Sequence, residues 1–392
     1  MSEFVDVGAV RAELDRLLEP RRADDSITVL GAGADDLESG LAYLAALAPG
    51  GWMVPTWPES YGGRAASPAD AALIARALGE YRTPDLYPYL VGLHVVAPTL
   101  LELATPVQCE RWLPPLATGD EIWCQLFSEP SAGSDLANVG TRAERDGDEW
   151  RLTGQKVWTS RAHYARWGLA LARTDPGVVK HTGITAFAVD MGAPGVDIRP
   201  LRQMNGDAHF SEVFLDGAVV ADADRIGEPG AGWSVARTAL ANERSGLGPA
   251  PAGTGLPIDR LLNGIRARTG PALDAPRRDR VARALIESEV TRLTGRRARD
   301  AARTGTPGPE GSGQKLRGSA GLKRVTDVGL SVRGADALLE DGEWSTLFLT
   351  APSLSIRGGT DEIQRNIVGE RVLGLPPEPR VDIDRPWNEI PH

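Results

Sequence analysis

DGDEWRLTGQKVWTS, residues 146–160, is where the chain stops reading as helix and reads as sheet. Gly147 between two aspartates is a tight hairpin signal, because glycine takes positive φ without steric cost. The stretches that follow it, EWRLTG and KVWTS, alternate in polarity as half-buried strands do. Working outward from the hairpin, WGLALAR, GITAFAVDM, GVDIRPL and SEVFLDG extend this pattern, so strands are expected from Trp123 to about Asp222. Upstream, apolar residues recur at helical spacing, as in VRAELDRLLEP and DAALIARALGEY. Downstream of the turn-rich GEPGAGW, helical spacing returns in ARALIESEVTRLTGRRARDAAR and LKRVTDVGLSVRGADALL. PGPEGSG, residues 307–313, is predicted to be a loop between helices. The expected layout is helical at 1–123, β at 124–227 and helical at 228–375, with a proline-rich extended tail at 376–392.

The composition narrows the function. A chain of 392 residues, 42% hydrophobic, can bury a large core and divide into two or three domains. A net charge of −10 without a basic stripe argues against nucleic acid. The two cysteines, Cys109 and Cys124, and five scattered histidines show no metal-ligand spacing. No metal is therefore expected, and a cytoplasmic location is. No apolar run reaches the roughly 20 residues that span a bilayer, so no membrane insertion is expected. Gly31-Ala32-Gly33 lacks the strand and the downstream glycine of a dinucleotide-binding turn and reads as a loop.

Three polar clusters remain as places for chemistry. CQLFSEPSAGSDLA (124–137) sets small residues after a strand-like run, where backbone can approach a ligand closely. GQKVWTS (154–160) puts the indole of Trp158 beside two hydroxyls. Together they suit a planar ring against an aromatic wall, although a β-turn and a core tryptophan explain either alone. The third, SIRGGTDEIQRNIVGERVLGLP (355–376), opens a polar helix with a glycine pair and a threonine.

In these stretches the chain resembles the flavin-dependent acyl-CoA dehydrogenase family. CQLFSEPSAGSD is similar to the family's first signature, DGDEWRLTGQKVWTS to its second and GGTDEIQRNIVGERVLGLP to its C-terminal one, in family order. The resemblance implies an α+β fold: an N-terminal helical domain, a middle β-barrel-like or sandwich domain and a C-terminal four-helix bundle. It implies FAD as cofactor, with a neighbouring subunit completing the site in a homodimer or homotetramer. Phe127 and Ser128 would meet the pyrimidine side of the flavin, and Trp158, Thr159 and Ser160 would line its ring. Ser134 would lie near FAD or the pantetheine of the substrate. Thr360 and Glu362 would meet FAD near its phosphates, where helix N-terminal amides favour an anion. The sequence equally allows Thr360 to be an ordinary helix N-cap.

The family removes an α-proton with a carboxylate that in many members immediately precedes the Gly-Thr of the last signature. Here that residue is Gly358, which holds no proton and would contribute only its backbone N–H, polarising the thioester carbonyl. The loss of a side chain there is compatible with a bulky, branched or cyclic acyl group. Other members carry the base on the first long helix after the β domain. In ARTALANERSGLG, Glu243 shares an apolar stripe with Trp233, Ala236, Leu240 and Leu247, a setting that raises a carboxylate pKa toward that of a base. Pairing with Arg237 or Arg244, or capping a kink before Pro249, is the plainer reading of Glu243. Arg244 is also a candidate for substrate binding.

Two family elements are altered. The Arg-x-x-Phe-Gly element whose arginine reaches a partner's FAD is absent; the arginines at 277, 278 and 280, with Arg278 as the candidate contact, either substitute for it or belong to a solvated charged face. A glycine-rich FAD contact is reduced to VRGADA, with Gly334 its best match. The implied reaction is α,β-dehydrogenation of an acyl-CoA or related thioester, with an electron-transfer flavoprotein as acceptor. A flavin-dependent oxidase or monooxygenase of the same fold, and a non-catalytic subunit of a hetero-oligomer, are the alternatives.

Overall fold

Capping residues start the N-terminal helices where the apolar period begins. The structure, a computed structural model, describes residues 5–21, 36–246, 257–267, 272–303, 310–338, 342–380 and 382–390. Gly31 and Gly33 lie outside these. The Asp6 carboxylate accepts the Gly8 amide at the head of α1 (Val7–Leu17), and Asp36 does the same for Ser39 in α2 (Leu37–Leu47). Ser67 caps α3 (Pro68–Leu78), which has proline at its first position. The helix α4 (Tyr87–Val91) runs through a π-helical turn, Gly92–Val96, into α5 (Ala97–Leu103). A capping box of Thr105 and Gln108 opens α6 (Pro106–Thr118).

The β region is one eight-stranded sheet: β1 (Trp123–Leu126), β2 (Arg142–Asp146), β3 (Glu149–Ser160), β4 (Trp167–Arg173), β5 (Ile184–Asp190), β6 (Val196–Leu201), β7 (Phe210–Ala221) and β8 (Arg225–Ile226). The order is β6-β7-β3-β2-β4-β5-β8, with β1 parallel to β4. Gly147, at φ 63°, turns the predicted hairpin between β2 and β3. EWRLTG and KVWTS are one twelve-residue strand rather than two, broken in register by bulges against β7. WGLALAR and ITAFAVD read as unbroken apolar runs because β4 and β5 are buried on both faces. Leu169, Leu171, Ile184 and Ala186 join the core shared with the N-terminal helices. Ala170, Ala172, Phe187 and Val189 join a second core with Trp150, Leu152, Val213 and Leu215. Trp112, Trp123 and Trp167 pack on one another, centroids 5.4–5.9 Å apart, where α6 meets the sheet.

Contacts divide the chain into two units, and α7 (Gly232–Gly246) belongs with the N-terminal helices and sheet in the first. The second holds α8 (Pro257–Arg266), α9 (Ala275–Arg303), α10 (Glu310–Arg333), α11 (Glu343–Thr350) and α12 (Asp361–Arg371). In it α8, α9, α11 and α12 all pack on α10. Gly329 of α10 leaves room for Trp344 of α11, since a Cβ at 329 would stand 2.1 Å from that ring.

Two expectations are corrected. Residues 310–313 of the predicted loop are the first turn of α10, and residues 307–309 lie outside the described residues. A proline just ahead of a helix start is tolerated because the first amides have no intrahelical acceptor to lose. The tail is not simply extended either: residues 382–390 pack on the first unit, where Pro386 bridges Val179 and Trp387 bonds Asn138. No helix among the described residues is long and apolar enough to cross a membrane.

Candidate functional site

The end of β3 carries the most unusual backbone in the candidate site. Trp158 sits at φ 59°, a left-handed conformation that a bulky residue seldom adopts. It does so within the bulge between Lys156 and Thr159, and the turn leaves the indole 60% exposed, edge-on to Phe210. Thr159 next to it is 1% exposed, and its Oγ1 has no hydrogen-bond partner among the described residues. An orphaned buried hydroxyl costs free energy unless something else meets it. Ser160 is half-buried. A flat aromatic wall beside an unmet polar group suits a planar, heteroatom-edged ligand. The Val157 amide donates to the Ser128 carbonyl (2.9 Å), which joins Phe127 and Ser128 to this shelf. Phe127 is buried, Ser128 half-buried and Ser134 exposed, with open space around Gly133.

What fixes the shelf is a buried ion pair that sequence reasoning missed. Lys156, wholly buried, donates to Glu129 Oε1 (2.7 Å), the Leu171 carbonyl (2.7 Å) and the Phe127 carbonyl (3.3 Å). Glu129 also accepts the amides of Gly140 (2.7 Å) and Thr141 (3.0 Å). Burial pushes the Glu129 carboxyl up, but the Lys156 ammonium and these bonds outweigh it and hold the group below its usual range. One lysine thus fastens β3 to the segment carrying Phe127 and Ser128. A lysine inside an otherwise alternating strand was the available signal, but its partner lies 27 positions away.

Glu243 lies on α7, two helical turns beyond the fully buried Ala236. Ala239 is buried on the same face, and Trp233 and Leu240 pack against that core. Glu243 itself is half-buried, less enclosed than its stripe suggests, because it sits near the helix end. Leu247, Pro249 and the side chain of Arg244 lie outside the described part of the structure. The Asn242 amide beside it donates to Thr99 Oγ1 (3.2 Å), whose hydroxyl donates to the Val95 carbonyl (2.6 Å) in the π turn. This ties the carboxylate-bearing end of α7 to an element type frequent at functional sites. The π turn also presents His94, whose basicity burial lowers.

In the second unit Gly358 and Gly359 both take positive φ, 64° and 81°. A Cβ at 359 would meet Gln364 Nε2 at 2.6 Å, and that amide reaches back to the Gly358 carbonyl (3.4 Å). Thr360 is the N-cap of α12, its hydroxyl accepting the Ile363 amide (3.2 Å). Glu362 is exposed beside Arg365. Asp361, another residue the sequence reading passed over, anchors this helix start through Lys315 (2.9 Å) and Ser319 (3.0 Å) of α10. Gly334 is exposed at φ 65° after α10. Arg278 is exposed and donates to the Leu273 carbonyl (2.7 Å), while Arg277 and Arg280 pair with Asp274 and Asp327. Among the described residues no group of three or more His, Cys, Asp or Glu is placed to hold a metal.

Comparison with known proteins bears on all three regions. Models of the acyl-CoA dehydrogenase N-terminal, middle and C-terminal domains match residues 28–120, 124–218 and 230–373. Acyl-CoA dehydrogenase FadE34 of Mycobacterium tuberculosis is 44% identical over 84% of this chain, but the match spans only 46% of that relative's length. Acyl-CoA dehydrogenase IpdE1 of the same organism is 38% identical over 95% of this chain and 99% of its own. Among solved structures, the Tcur3481-Tcur3483 steroid ACAD superposes with a TM-score of 0.76 at 26% identity, covering 95% of this chain and 97% of that one.

Proposed function

The chain belongs to the acyl-CoA dehydrogenase family, and from that premise we propose that it is an FAD-dependent enzyme introducing an α,β double bond into an acyl thioester. The observation that carries the proposal is the preformed shelf at the end of β3: Trp158 is held out at φ 59° beside the unmet Thr159 hydroxyl. These residues fit a flavin, because the indole offers a face to a ring system and the orphaned hydroxyl a hydrogen bond to its polar edge. Phe127 and Ser128 extend the shelf, and Ser160 borders it. Bound FAD supplies a hydride acceptor. Thr360, Glu362 and the first amides of α12 would hold its polar chain, with Gly334 and Arg278 as further contacts.

The reaction removes an α-proton and a β-hydride. The Glu243 carboxylate takes the proton, while the Gly358 N–H donates to the thioester carbonyl as negative charge grows on that oxygen. Ser134 and Arg244 bind the thioester and its carrier. A bulky, ring-containing acyl group is the substrate class this reading favours. Gly358 presents no side chain, and the similar Tcur3481-Tcur3483 protein is a steroid ACAD. On the paired name of that similar protein we base a second reading: the chain works as one subunit of a hetero-oligomer. Electrons would leave through an electron-transfer flavoprotein.

The test is the visible spectrum of the purified protein, alone and co-expressed with a homologous partner, before and after anaerobic addition of linear and cyclic acyl-CoAs. Flavin that bleaches with a cyclic acyl-CoA in the wild type but not in Glu243→Gln is the expected result. Undiminished bleaching in the variant excludes Glu243 as base. A yellow protein that responds to no acyl-CoA, and consumes oxygen when supplied with reduced flavin, overturns the dehydrogenase reading.

A further inference from the structure

The loop that follows Phe127 is fastened at several points. Glu129 takes the amides of Gly140 and Thr141 at one end of the stretch. Arg173, 2% exposed, donates to the carbonyls of Ala137 (2.7 Å), Val139 (3.0 Å) and Lys180 (2.6 Å). Its remaining face lies 4.7 Å from the ring centre of Trp387. The Trp387 indole N–H donates to Asn138 Oδ1 (2.9 Å), between the two residues that Arg173 holds. Nearer the exposed part of the loop, Lys180 binds both oxygens of Asp135 (2.8 Å each) and also pairs with Asp382. Backbone bonds from Trp387 to Val178 (2.8 Å) and from Asn388 to Pro176 (3.1 Å) seat the segment. Gly133 and Ser134 lie in the exposed part of the loop, amid these attachments.

We propose that residues 382–390 form a strap that sets the position of the Ser134 loop, with Trp387 as its positioning residue. Trp387 touches no reacting group. It acts by covering the Arg173 guanidinium and holding Asn138, so that the carbonyls of Ala137 and Val139 stay fixed and Ser134 is presented in one place. Without the indole, water reaches the face of Arg173 and competes for those carbonyls, while Asn138 loses its donor. Asp382 acts at the other side of the loop through Lys180 and Asp135. The inference rests on the reading that Ser134 meets the cofactor or the thioester.

The experiment compares wild type, Trp387→Ala, Trp387→Phe and the control Ile383→Ala as flavin-loaded proteins. Steady-state kinetics with an acyl-CoA is paired with hydrogen exchange of the amides of residues 133–141. Trp387→Ala is expected to raise KM about tenfold, the equivalent of about 1.4 kcal/mol, with kcat per bound flavin little changed. Its loop amides should exchange faster. Trp387→Phe, which keeps a ring over Arg173 but loses the N–H, should fall between, and Ile383→Ala should match wild type. Unchanged KM and loop exchange in Trp387→Ala overturn the strap. So does an activity loss that tracks only the unfolded fraction. If wild type turns over no acyl-CoA, the functional reading fails by itself, and the exchange data still decide whether Trp387 sets the loop.

Discussion

Replacing Lys156 by methionine isolates the buried pair beneath the shelf. Methionine approximates the volume of the lysine stem but leaves the Glu129 carboxylate, 6% exposed, without its counter-ion. The Leu171 and Phe127 carbonyls also lose a donor. Breaking a buried ion pair from one side costs about 3–5 kcal/mol. For a unit of this size each kcal/mol moves Tm by about 2–4 °C, so a fall of roughly 6–20 °C is expected. Adding Glu129→Gln should recover part of this because the uncompensated charge is gone, but only part, since the single glutamine oxygen can accept one of the two amides that Oε2 (Gly140) and Oε1 (Thr141) take in the wild type. The loss also depends on pH. Glu129 is held below its usual range, so its contribution is full above the ordinary carboxylate range and fades as pH falls through the folded value. In Lys156→Met the ammonium no longer offsets burial, and only the Gly140 and Thr141 amides still hold the carboxyl down, so its pKa rises from the wild-type value. The gap between variant and wild type should therefore narrow as pH drops. Scanning calorimetry of the wild type, Lys156→Met, Glu129→Gln and the double variant across pH provides the measurement. A single-variant loss below about 1 kcal/mol refutes the reasoning. So does a double variant as unstable as the sum of the singles, or a gap independent of pH.

Thr159→Val should leave the apoprotein as stable or about 1 kcal/mol more stable, because it removes an unmet buried hydroxyl, while weakening flavin affinity; apoprotein Tm and a flavin titration check both. Gly359→Ala puts a Cβ at φ 81° and 2.6 Å from Gln364 Nε2. A destabilisation of about 1–3 kcal/mol and lowered flavin content are expected, and a thermally and spectrally normal variant would contradict the tight turn. Cys109 and Cys124 are both buried, and burial raises both thiol pKa values. Neither should react with a disulfide reagent until denaturant is added, which a thiol titration tests.

The fold was legible where each element's own residues carried the period. The β2–β3 hairpin needs only the Asp-Gly-Asp turn and alternation on either side, all local. What escaped sequence reasoning depends on partners distant in the chain. The bulge at Trp158 divides β3 because β7 pairs with it out of register, and the indole's left-handed φ has no mark in KVWTS. Continuous burial of β4 and β5 follows from helices on one face and the second core on the other, which hides the period-two signal. The site was legible in its residue types but not in its supports. Thr159 drew attention as a hydroxyl beside a tryptophan. Lys156 did not, because an unpaired lysine in a strand reads as surface until Glu129 is seen beside it. The tail misled for a related reason: prolines suppress helix and strand signals, while Trp387 finds its partners in the middle of the chain.

The separation of 249 residues between Trp387 and Asn138 also orders events during synthesis. At about 5–20 residues per second, the ribosome needs about 12–50 s after Asn138 to make the indole that covers Arg173. For most of that interval, once Lys156 and Lys180 have been made, the Ser134 loop has its attachments to Glu129 and Lys180 but not the indole over Arg173. Every helix of the second unit is translated before the strap, so the loop can take its final form only after their residues exist. Translation thereby imposes a sequence on assembly, with the shelf's inner support first and its outer rim last.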